Sequence, residues 1–420
     1  MIPLLNHWNK LVRCRAAYGS HLFDILFHDV KDRLTGKSHR ANARWGFVRP
    51  PAEQGRVIWI RAGQSRLSVL MAVNVLCAIR EKRLDVRLVL TYEQEYLDIL
   101  EEPLRDLKKT AYGYGCCDRA GAIRRLLGRL NPCAVIVVAD LPGVNWLQCL
   151  ADYQYIEPQQ SRLLPVPMVA LQTDFPPEGI AWQVYYPWKQ SEYDGLASQV
   201  TSVSKPVDMV TLVTPAQVEP TLAKVVMGHN TGKLWWADVD HIDSAHALLN
   251  KWQDSRLMDD SILCLSLDES DGQGLAALAN YTLSSPSGTS KIIFISQWQR
   301  AALTPGSVLI LDQWRWLPAV AVSVAATHLM NSCRLKYWQA LASGAALTLA
   351  PQANSFAERN TALSCPSITD FDQLLAYWCR LHEAPFTGRT VADDNRKIFW
   401  SMRRHASQQM SDFLERVFYW

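Results

Sequence analysis

The sequence lacks the features that would assign it quickly to a well-marked class. No apolar run approaches the roughly 18 residues needed to cross a bilayer, so no transmembrane helix is expected. The ten cysteines form no C-x-x-C pair and no Cys/His ligand spacing, which argues against zinc and favours free thiols in a reducing compartment. The Gly-Lys-Ser/Thr order of a phosphate-binding loop is absent. No signal peptide is predicted.

The charge is nearly balanced overall but uneven along the chain. The formal net charge is +3, so no global field points to nucleic acid. Residues 1–56 nevertheless carry ten Lys or Arg and four acids, a local net charge of +6. Within this basic segment, apolar side chains recur at helical spacing at Tyr18, Leu22, Ile25, Leu26, Val30 and Leu34. Such an amphipathic helix is typical either of contact with an anionic membrane surface or of packing on a domain, and packing is favoured here.

Short apolar segments alternate with helical ones, which indicates an α/β protein. Strands are predicted at residues 56–61, 86–91 and 134–139, weaker strands at 167–171 and 209–213, and helices at 66–80 and 119–130. The pattern restarts after residues 228–233, with strands at 234–237, 262–267, 291–296, 308–311 and 346–349, and helices at 244–253 and 394–418. Two Rossmann-type, doubly wound lobes facing a cleft are the simplest architecture.

Four segments, in order along the chain, resemble the bacterial Kdo transferases. They are residues 44–51 (RWGFVRPP) with 57–62 (VIWIRA), 118–127 (DRAGAIRRLL), 235–241 (WWADVDH) and 344–358 (GAALTLAPQANSFAE). The resemblance implies a GT-B-like fold and the transfer of a Kdo sugar from a CMP-linked donor to a lipid A precursor. It divides the chain into a basic N-terminal segment (1–42), an acceptor lobe (43–228), a donor lobe (229–393) and a C-terminal helix (394–420).

The chain departs from this family where the chemistry is expected. An inverting sugar transfer needs a carboxylate to take the proton of the acceptor hydroxyl, and the position of the family's Glu is occupied by Leu67. The Asn and Glu that the resemblance assigns to donor binding are replaced by Lys336 and Gln339. A substitute base is sought among the nearby acids Asp118, Asp140 and Glu93.

The resemblance also marks the positions that should face the two substrates. Candidates on the donor side are His241, Asp312, Lys336, Gln339 and Glu358. Candidates on the acceptor side are Arg61, Arg66, Asp118, Arg119 and Asn145. The D-x-D at Asp238 and Asp240 could suit a divalent cation, but a polar loop leading into a helix is favoured, and no metal or other cofactor is expected.

Two functions remain open on these residues. One is a Kdo-transferase-like enzyme of altered donor or acceptor specificity, acting on a sugar or lipid in cell-envelope or lipopolysaccharide assembly. The other is an inactive pseudo-glycosyltransferase that serves as a binding or scaffold subunit for a protein partner. A third, weaker interpretation is a membrane-surface or polyanion binder using residues 1–56. A cytoplasmic location, with peripheral contact at the inner membrane surface, is expected.

Overall fold

The chain folds into two compact α/β units. The computed structural model describes residues 18–157, 162–173, 182–189, 202–215, 233–267, 277–278, 281, 291–296, 304–331, 333–356 and 365–420. One unit comprises residues 1–209 with 405–420, and the other comprises residues 210–404. The predicted boundary at 228–233 lies mostly outside the described residues, and the four-part division given above stays a prediction.

Among its described residues, the first unit contains six helices and eight strands. Its helices are α1 (Leu22–Leu34), α2 (Ser38–Arg44), α3 (Arg66–Lys82), α4 (Leu97–Leu104), α5 (Ala120–Leu130) and α6 (Val144–Ala151). Its strands are β1 (Val57–Ala62), β2 (Arg87–Tyr92), β3 (Thr110–Tyr114), β4 (Pro132–Val138), β5 (Gln154–Ile156), β6 (Leu163–Pro165), β7 (Met168–Leu171) and β8 (Val184–Tyr186).

Six of these strands form one parallel sheet in the order β3-β2-β1-β4-β7-β8. The central strands β1 and β4 are buried along their whole length, as expected for strands covered by helices on both faces. The chain winds to one side of β1 through β2 and β3, and to the other side from β4. The switch point therefore lies between β1 and β4, where open α/β sheets bind ligands at the carboxyl ends of their strands.

The second unit repeats this plan. Its helices are α7 (Val210–Val213), α8 (Ile242–Gln253), α9 (Leu317–Ser323), α10 (Arg334–Ser343), α11 (Phe371–Glu383) and α12 (Pro385–Val417), the last running on into the first unit from residue 405. Its strands are β9 (Lys233–Asp238), β10 (Ser261–Ser266), β11 (Ile292–Phe294), β12 (Val308–Ile310), β13 (Val324–Leu329) and β14 (Ala346–Leu349).

The second sheet is also parallel, in the order β11-β12-β10-β9-β13-β14, with its switch point between β9 and β13. Its mainly aliphatic core includes the fully buried rings of Trp235, Trp252 and Trp378, and Trp235 of β9 stacks on Trp378 of α11 at 5.3 Å between ring centroids. Core packing thus accounts for several of the 16 tryptophans of the chain. The two parallel sheets confirm the predicted doubly wound α/β class.

Two predictions about individual elements are wrong. Residues 209–213 were predicted as a strand, but residues 210–213 form the short helix α7. The apolar face of residues 18–34 was predicted to pack on the domain, but most of it is exposed. Tyr18 and Ile25 are buried, whereas the other apolar positions of that face are exposed: Leu22, Leu26, Val30 and Leu34. Polar side chains take the inner positions of α1 instead.

Two of the segments that carry the family resemblance pack against each other. Gly46 has a positive φ of 82° and lies directly on α5, where a Cβ would overlap the carbonyl oxygen of Ala122. The Arg125 guanidinium donates to the carbonyl oxygen of Trp45 at 2.7 Å and lies 4.7 Å from the Phe47 ring centroid. Residues 44–51 and 118–127 are therefore joined by main-chain contacts within the fold.

Replacing Gly46 by alanine should lower the free energy of unfolding by about 2 kcal/mol or more, since the change adds a left-handed backbone penalty to a clash with backbone. The measurement is the urea midpoint of the purified variant. Gly128→Ala is the matched control, because Gly128 lies on α5 and a Cβ there meets nothing within 4 Å. An unchanged midpoint for Gly46→Ala would contradict the assigned packing.

Candidate functional site

The switch point of the first sheet holds an arginine between two carboxylates. Arg61 is buried near the end of β1, and its guanidinium forms an ion pair with Glu93, which follows β2. The same guanidinium donates to the carbonyl oxygen of Asp140, which follows β4, at 2.9 Å. Parallel register places these three chain segments side by side, because Arg61 pairs with Thr91 of β2 and Val137 of β4.

Glu93 is the carboxylate of this cluster best suited to accept a proton. Its side chain is 17% exposed, so it is accessible at the carboxyl edge of the sheet. Burial raises the pKa of Glu93, and the negative charge of Asp140 raises it further, while the Arg61 guanidinium and a hydrogen bond from the Gln64 side chain oppose both effects. A carboxylate with a raised pKa is a stronger base than an ordinary glutamate, which is the property a general base needs.

Asp140 has a structural task at the start of α3. Its carboxylate accepts hydrogen bonds from the Ser65 backbone N–H at 2.8 Å and from the Ser65 hydroxyl at 2.9 Å. Ser65 in turn caps α3 by accepting from the backbone N–H of Ser68 at 3.1 Å. Gly63 lies so close to Asp140 that a Cβ would overlap its side chain. Both carboxylate oxygens of Asp140 therefore serve the start of α3.

The two neighbouring positions on α3 do not replace the missing base. Arg66 forms an ion pair with Asp98 of α4 and lies 5.4 Å from the ring centroid of Tyr96. Leu67, at the position of the family's Glu, lies half-buried in the first turn of α3. Arg66 thus fixes α3 to α4, and the backbone at Leu67 forms regular helix.

Asp118, Arg119 and Asn145, the acceptor-side candidates that follow β3, make structural hydrogen bonds. Asp118 accepts from the backbone N–H of Trp146 at 2.9 Å, which caps α6. Asn145 donates to the carbonyl oxygen of Asp118 at 2.9 Å, and Arg119 donates to the carbonyl oxygen of Ser20 at 2.9 Å. The structure brings Asp118 and Asn145 together, but in contacts that hold α6 and the chain before α1.

The switch point of the second sheet is filled by a buried ion pair. Lys336 of α10 forms an ion pair with Asp238, the last residue of β9, and both side chains are almost fully buried. Asp238 also accepts from the Ser266 hydroxyl at 2.7 Å and from the Asn331 amide at 3.3 Å. The Lys336 ammonium lies 5.5 Å from the ring centroid of Trp314. Lys336, at the position of the family's donor-binding Asn, is thus a cation whose charge is neutralised by Asp238 of the same unit.

The remaining donor-side candidates have separate contacts. Gln339 is buried, and its amide donates to the carbonyl oxygen of Pro215 at 3.3 Å. The carboxylate of Asp312 accepts from the Ser296 backbone N–H at 3.0 Å. The exposed His241 lies 2.6 Å from a carboxylate oxygen of its neighbour Asp240.

Glu358 lies outside the described residues. Across the part of the chain that the structure describes, no three His, Cys, Asp or Glu side chains gather into a group able to hold a metal.

The sequence analysis named Arg61, Lys336 and the acids that they contact, but it did not predict that these residues form pairs. Asp238 was considered only for a cation, and its pairing with Lys336 depends on the place of α10 over the carboxyl end of β9. The signal for Glu93 was weak: it is an acid directly after a buried strand. Its closeness to Arg61 follows only from the order and register of β1 and β2.

Comparison with known proteins gives the fold. No protein-family model and no curated protein matches the chain. Among solved structures, HepE of Anabaena in complex with UDP-glucose is similar, with a TM-score of 0.52 and 10% identity, covering 86% of this chain and 100% of HepE. UGT2 of Phytolacca americana, complexed with UDP-2-fluoro-glucose and pterostilbene, has a TM-score of 0.52 and 9% identity, covering 87% of this chain and 99% of UGT2. The fold is of the GT-B type.

A third similar GT-B structure is the UDP-GlcNAc 2-epimerase of Neisseria meningitidis bound to UDP-GlcNAc. Its TM-score is 0.50 at 10% identity, and the match covers 83% of this chain and 99% of the epimerase. These similar structures thus include an epimerase as well as other proteins bound to UDP-linked sugars, so the shared fold does not specify one reaction. The activity of this chain has to be argued from its own residues.

Proposed function

We propose that this chain transfers a sugar from a nucleotide-sugar donor to a hydroxyl group, with Glu93 as the general base. In the proposed step the Glu93 carboxylate takes the proton of the acceptor hydroxyl. At the same time the oxygen of that hydroxyl attacks the anomeric carbon of the donor sugar. The nucleotide leaves with the bonding electrons of the broken glycosidic bond. The observation that supports this most is the accessible, raised-pKa carboxylate of Glu93 at the switch point of the first sheet.

Arg61 is a positioning residue in this proposal. Its guanidinium holds Glu93 by an ion pair and is fixed by the carbonyl oxygen of Asp140 and by the Trp146 ring, 5.5 Å away. Because Arg61 has partners on both sides, Glu93 is held in one place before any acceptor arrives. Glu93 thereby takes over the role that Leu67 cannot fill.

The finer part of the proposal rests on the family resemblance. It comprises a Kdo-transferase-like enzyme of altered donor or acceptor specificity, a CMP-linked donor and a place in cell-envelope or lipopolysaccharide assembly. Residues 44–51 and 118–127 support it through their sequence. Similar GT-B structures bind UDP-linked sugars, so UDP-linked donors belong in any test. The cytoplasmic location stays a prediction.

A second candidate function has its own support in the second unit. We propose as the alternative that the chain is a pseudo-glycosyltransferase, a binding or scaffold subunit for a protein partner. The supporting observation is that Lys336 and Gln339, at the two donor-binding positions of the family, bond internally to Asp238 and to the Pro215 carbonyl oxygen. A site whose polar groups already satisfy one another offers a donor few open contacts.

A ligand panel distinguishes the two functions. Purified protein is heated with CMP, UDP, GDP or ADP, each alone and as a sugar conjugate, and the unfolding midpoint is recorded. A donor should raise the midpoint as its concentration rises, with stabilisation of about 2.7 kcal/mol at a hundred times Kd. The matching sugar conjugate should then release its nucleotide when an acceptor is present. A well-folded sample whose midpoint no nucleotide raises would favour the pseudo-glycosyltransferase.

A further inference from the structure

Helix α1 turns its apolar side to the solvent. Six large apolar side chains of this helix are exposed: Leu22, Phe23, Leu26, Phe27, Val30 and Leu34. The exposed fraction reaches 87% for Phe23 and 83% for Leu34. At 3.6 residues per turn these positions share one continuous arc of about 140° around the helix. A contiguous apolar surface of this kind marks an interaction site.

The opposite side of α1 is anchored by charge. Asp32 is buried there and forms an ion pair with Arg44 of α2, which has no solvent exposure, while the buried Asp29 lies between this side and the Leu22 edge of the arc. Asp29 accepts a hydrogen bond from the Trp45 indole at 3.1 Å and lies 3.8 Å from the Arg44 guanidinium. Rolling the helix to hide its apolar arc would break these contacts and leave Arg44 buried without them, which is costly. The apolar arc is therefore a fixed outer surface.

Exposed cations border the apolar arc. On the helical wheel Lys31 lies about 40° beyond the Phe27 edge of the arc, Arg33 lies within the arc about 20° from its Leu22 edge, and Lys37 follows the helix. All three are exposed, and Arg33 also pairs with Asp29 at 2.9 Å. The one exposed acid of α1, Asp24, lies about 60° beyond the Phe27 edge, farther from the arc than Lys31. In the sequence, residues 1–56, which include α1, carry a net charge of +6.

We propose that α1 docks on an anionic lipid surface, lying in the interface with its apolar arc inserted and its cations against the headgroups. An apolar arc with basic edges is the chemistry of an interfacial amphipathic helix. Two copies of the chain joined through this arc would bring their basic edges together, which opposes such pairing. No helix among the described residues is long and apolar enough to span a bilayer, so the proposed contact is peripheral. Nothing in it depends on the transferase proposal.

Vesicle flotation tests the proposal with the full chain. The vesicles are phosphatidylcholine alone or phosphatidylcholine mixed with phosphatidylglycerol. Wild type should float with the mixed vesicles, and added salt should weaken the binding because exposed charges are screened. The double variant Phe23→Ser, Phe27→Ser should bind at least about tenfold more weakly, since two large apolar side chains no longer insert. Lys31→Gln with Lys37→Gln should weaken binding to mixed vesicles selectively.

The matched control is Leu84→Ser with Leu97→Ser, two exposed apolar residues of the same unit outside α1. This control should float like the wild type, and every variant should keep the wild-type unfolding midpoint, since all the changed residues are exposed. Flotation that is absent in wild type, or equal in wild type and in the Phe23/Phe27 variant, overturns the proposal. A wild type that is dimeric, with a monomeric Phe23/Phe27 variant, would assign the arc to a second copy and also overturn it.

Discussion

Replacing Glu93 by glutamine should lower the rate of sugar transfer by about a hundred- to ten-thousand-fold, the usual contribution of a general base. Glutamine keeps the shape of the side chain and can still accept a hydrogen bond from Arg61, but it cannot take a proton. The binding of the donor nucleotide should stay unchanged, because the donor-side positions Lys336 and Gln339 belong to the second unit and Glu93 to the first. The measurement is nucleotide release with the donor found in the ligand panel.

The pH dependence of the rate gives an independent readout for Glu93. Only the ionised carboxylate acts as a base, so the rate should fall as pH falls through its pKa. Burial and the charge of Asp140 raise this pKa above its ordinary value of 4.5, which moves the acid limb of the profile toward neutral pH. Glu93→Gln should remove that limb along with most of the rate.

Glu102→Gln is the matched control, because Glu102 is an exposed acid on α4 in the same unit. It should leave both the rate and the pH profile unchanged. If Glu93→Gln transfers sugar at the wild-type rate, Glu93 is not the base. If neither variant nor wild type releases nucleotide while a nucleotide still binds, transfer itself is excluded for that donor.

Removing the carboxylate of Asp238 should lower the free energy of unfolding by about 3–5 kcal/mol. The Lys336 ammonium would stay buried without its counter-charge, and Ser266 and Asn331 would each lose an acceptor. Asp238→Ala and Lys336→Met should both destabilise, since each leaves the other charge uncompensated. The double variant Asp238→Leu, Lys336→Met should recover much of the loss, because apolar side chains can replace a buried ion pair.

Urea midpoints measure this coupling, with Lys251→Met as the control. Lys251 pairs with Asp372 at 2.9 Å, but both side chains are at least half exposed, so its loss should hardly move the midpoint. Additive effects of the two single changes would contradict the buried pair. The double variant also tests the alternative function. If it binds nucleotides that the wild type does not, the ion pair was blocking the donor site.

Much of the fold could be predicted because buried parallel strands have a strong apolar signature. The strands predicted at 134–139 and 346–349 correspond to β4 and β14. Strand β13 was missed, since Thr327 and His328 interrupt its apolar pattern, although both are buried. The His328 ring bonds to the Thr348 hydroxyl at 3.0 Å on the neighbouring strand. A polar pair across a sheet is satisfied only once the strands are aligned, so one segment alone gives no sign of it.

The site was harder to predict than the fold. Asp118, Asn145 and Arg66 were chosen from their place in the family pattern, and the structure shows them in caps and ion pairs. Glu93 follows a strand that was predicted correctly, yet its importance comes from Arg61 on the neighbouring strand. Strand order and register decide which side chains meet at the edge of a sheet. Neither can be obtained from local spacing.

The packing of residues 44–48 on α5 changes what similarity in this part of the sequence means. Arg125 and Arg129 hold the segment by the carbonyl oxygens of Trp45 and Val48, and every residue type possesses such an oxygen. In this segment only position 46 requires a particular residue type, glycine, because of its positive φ and its close contact with Ala122. Proteins found by their similarity to residues 44–51 and 118–127 would thus share this fold. They could still catalyse different reactions, and some could be inactive. Sorting them by activity would require the residues at the carboxyl ends of β2 and β9.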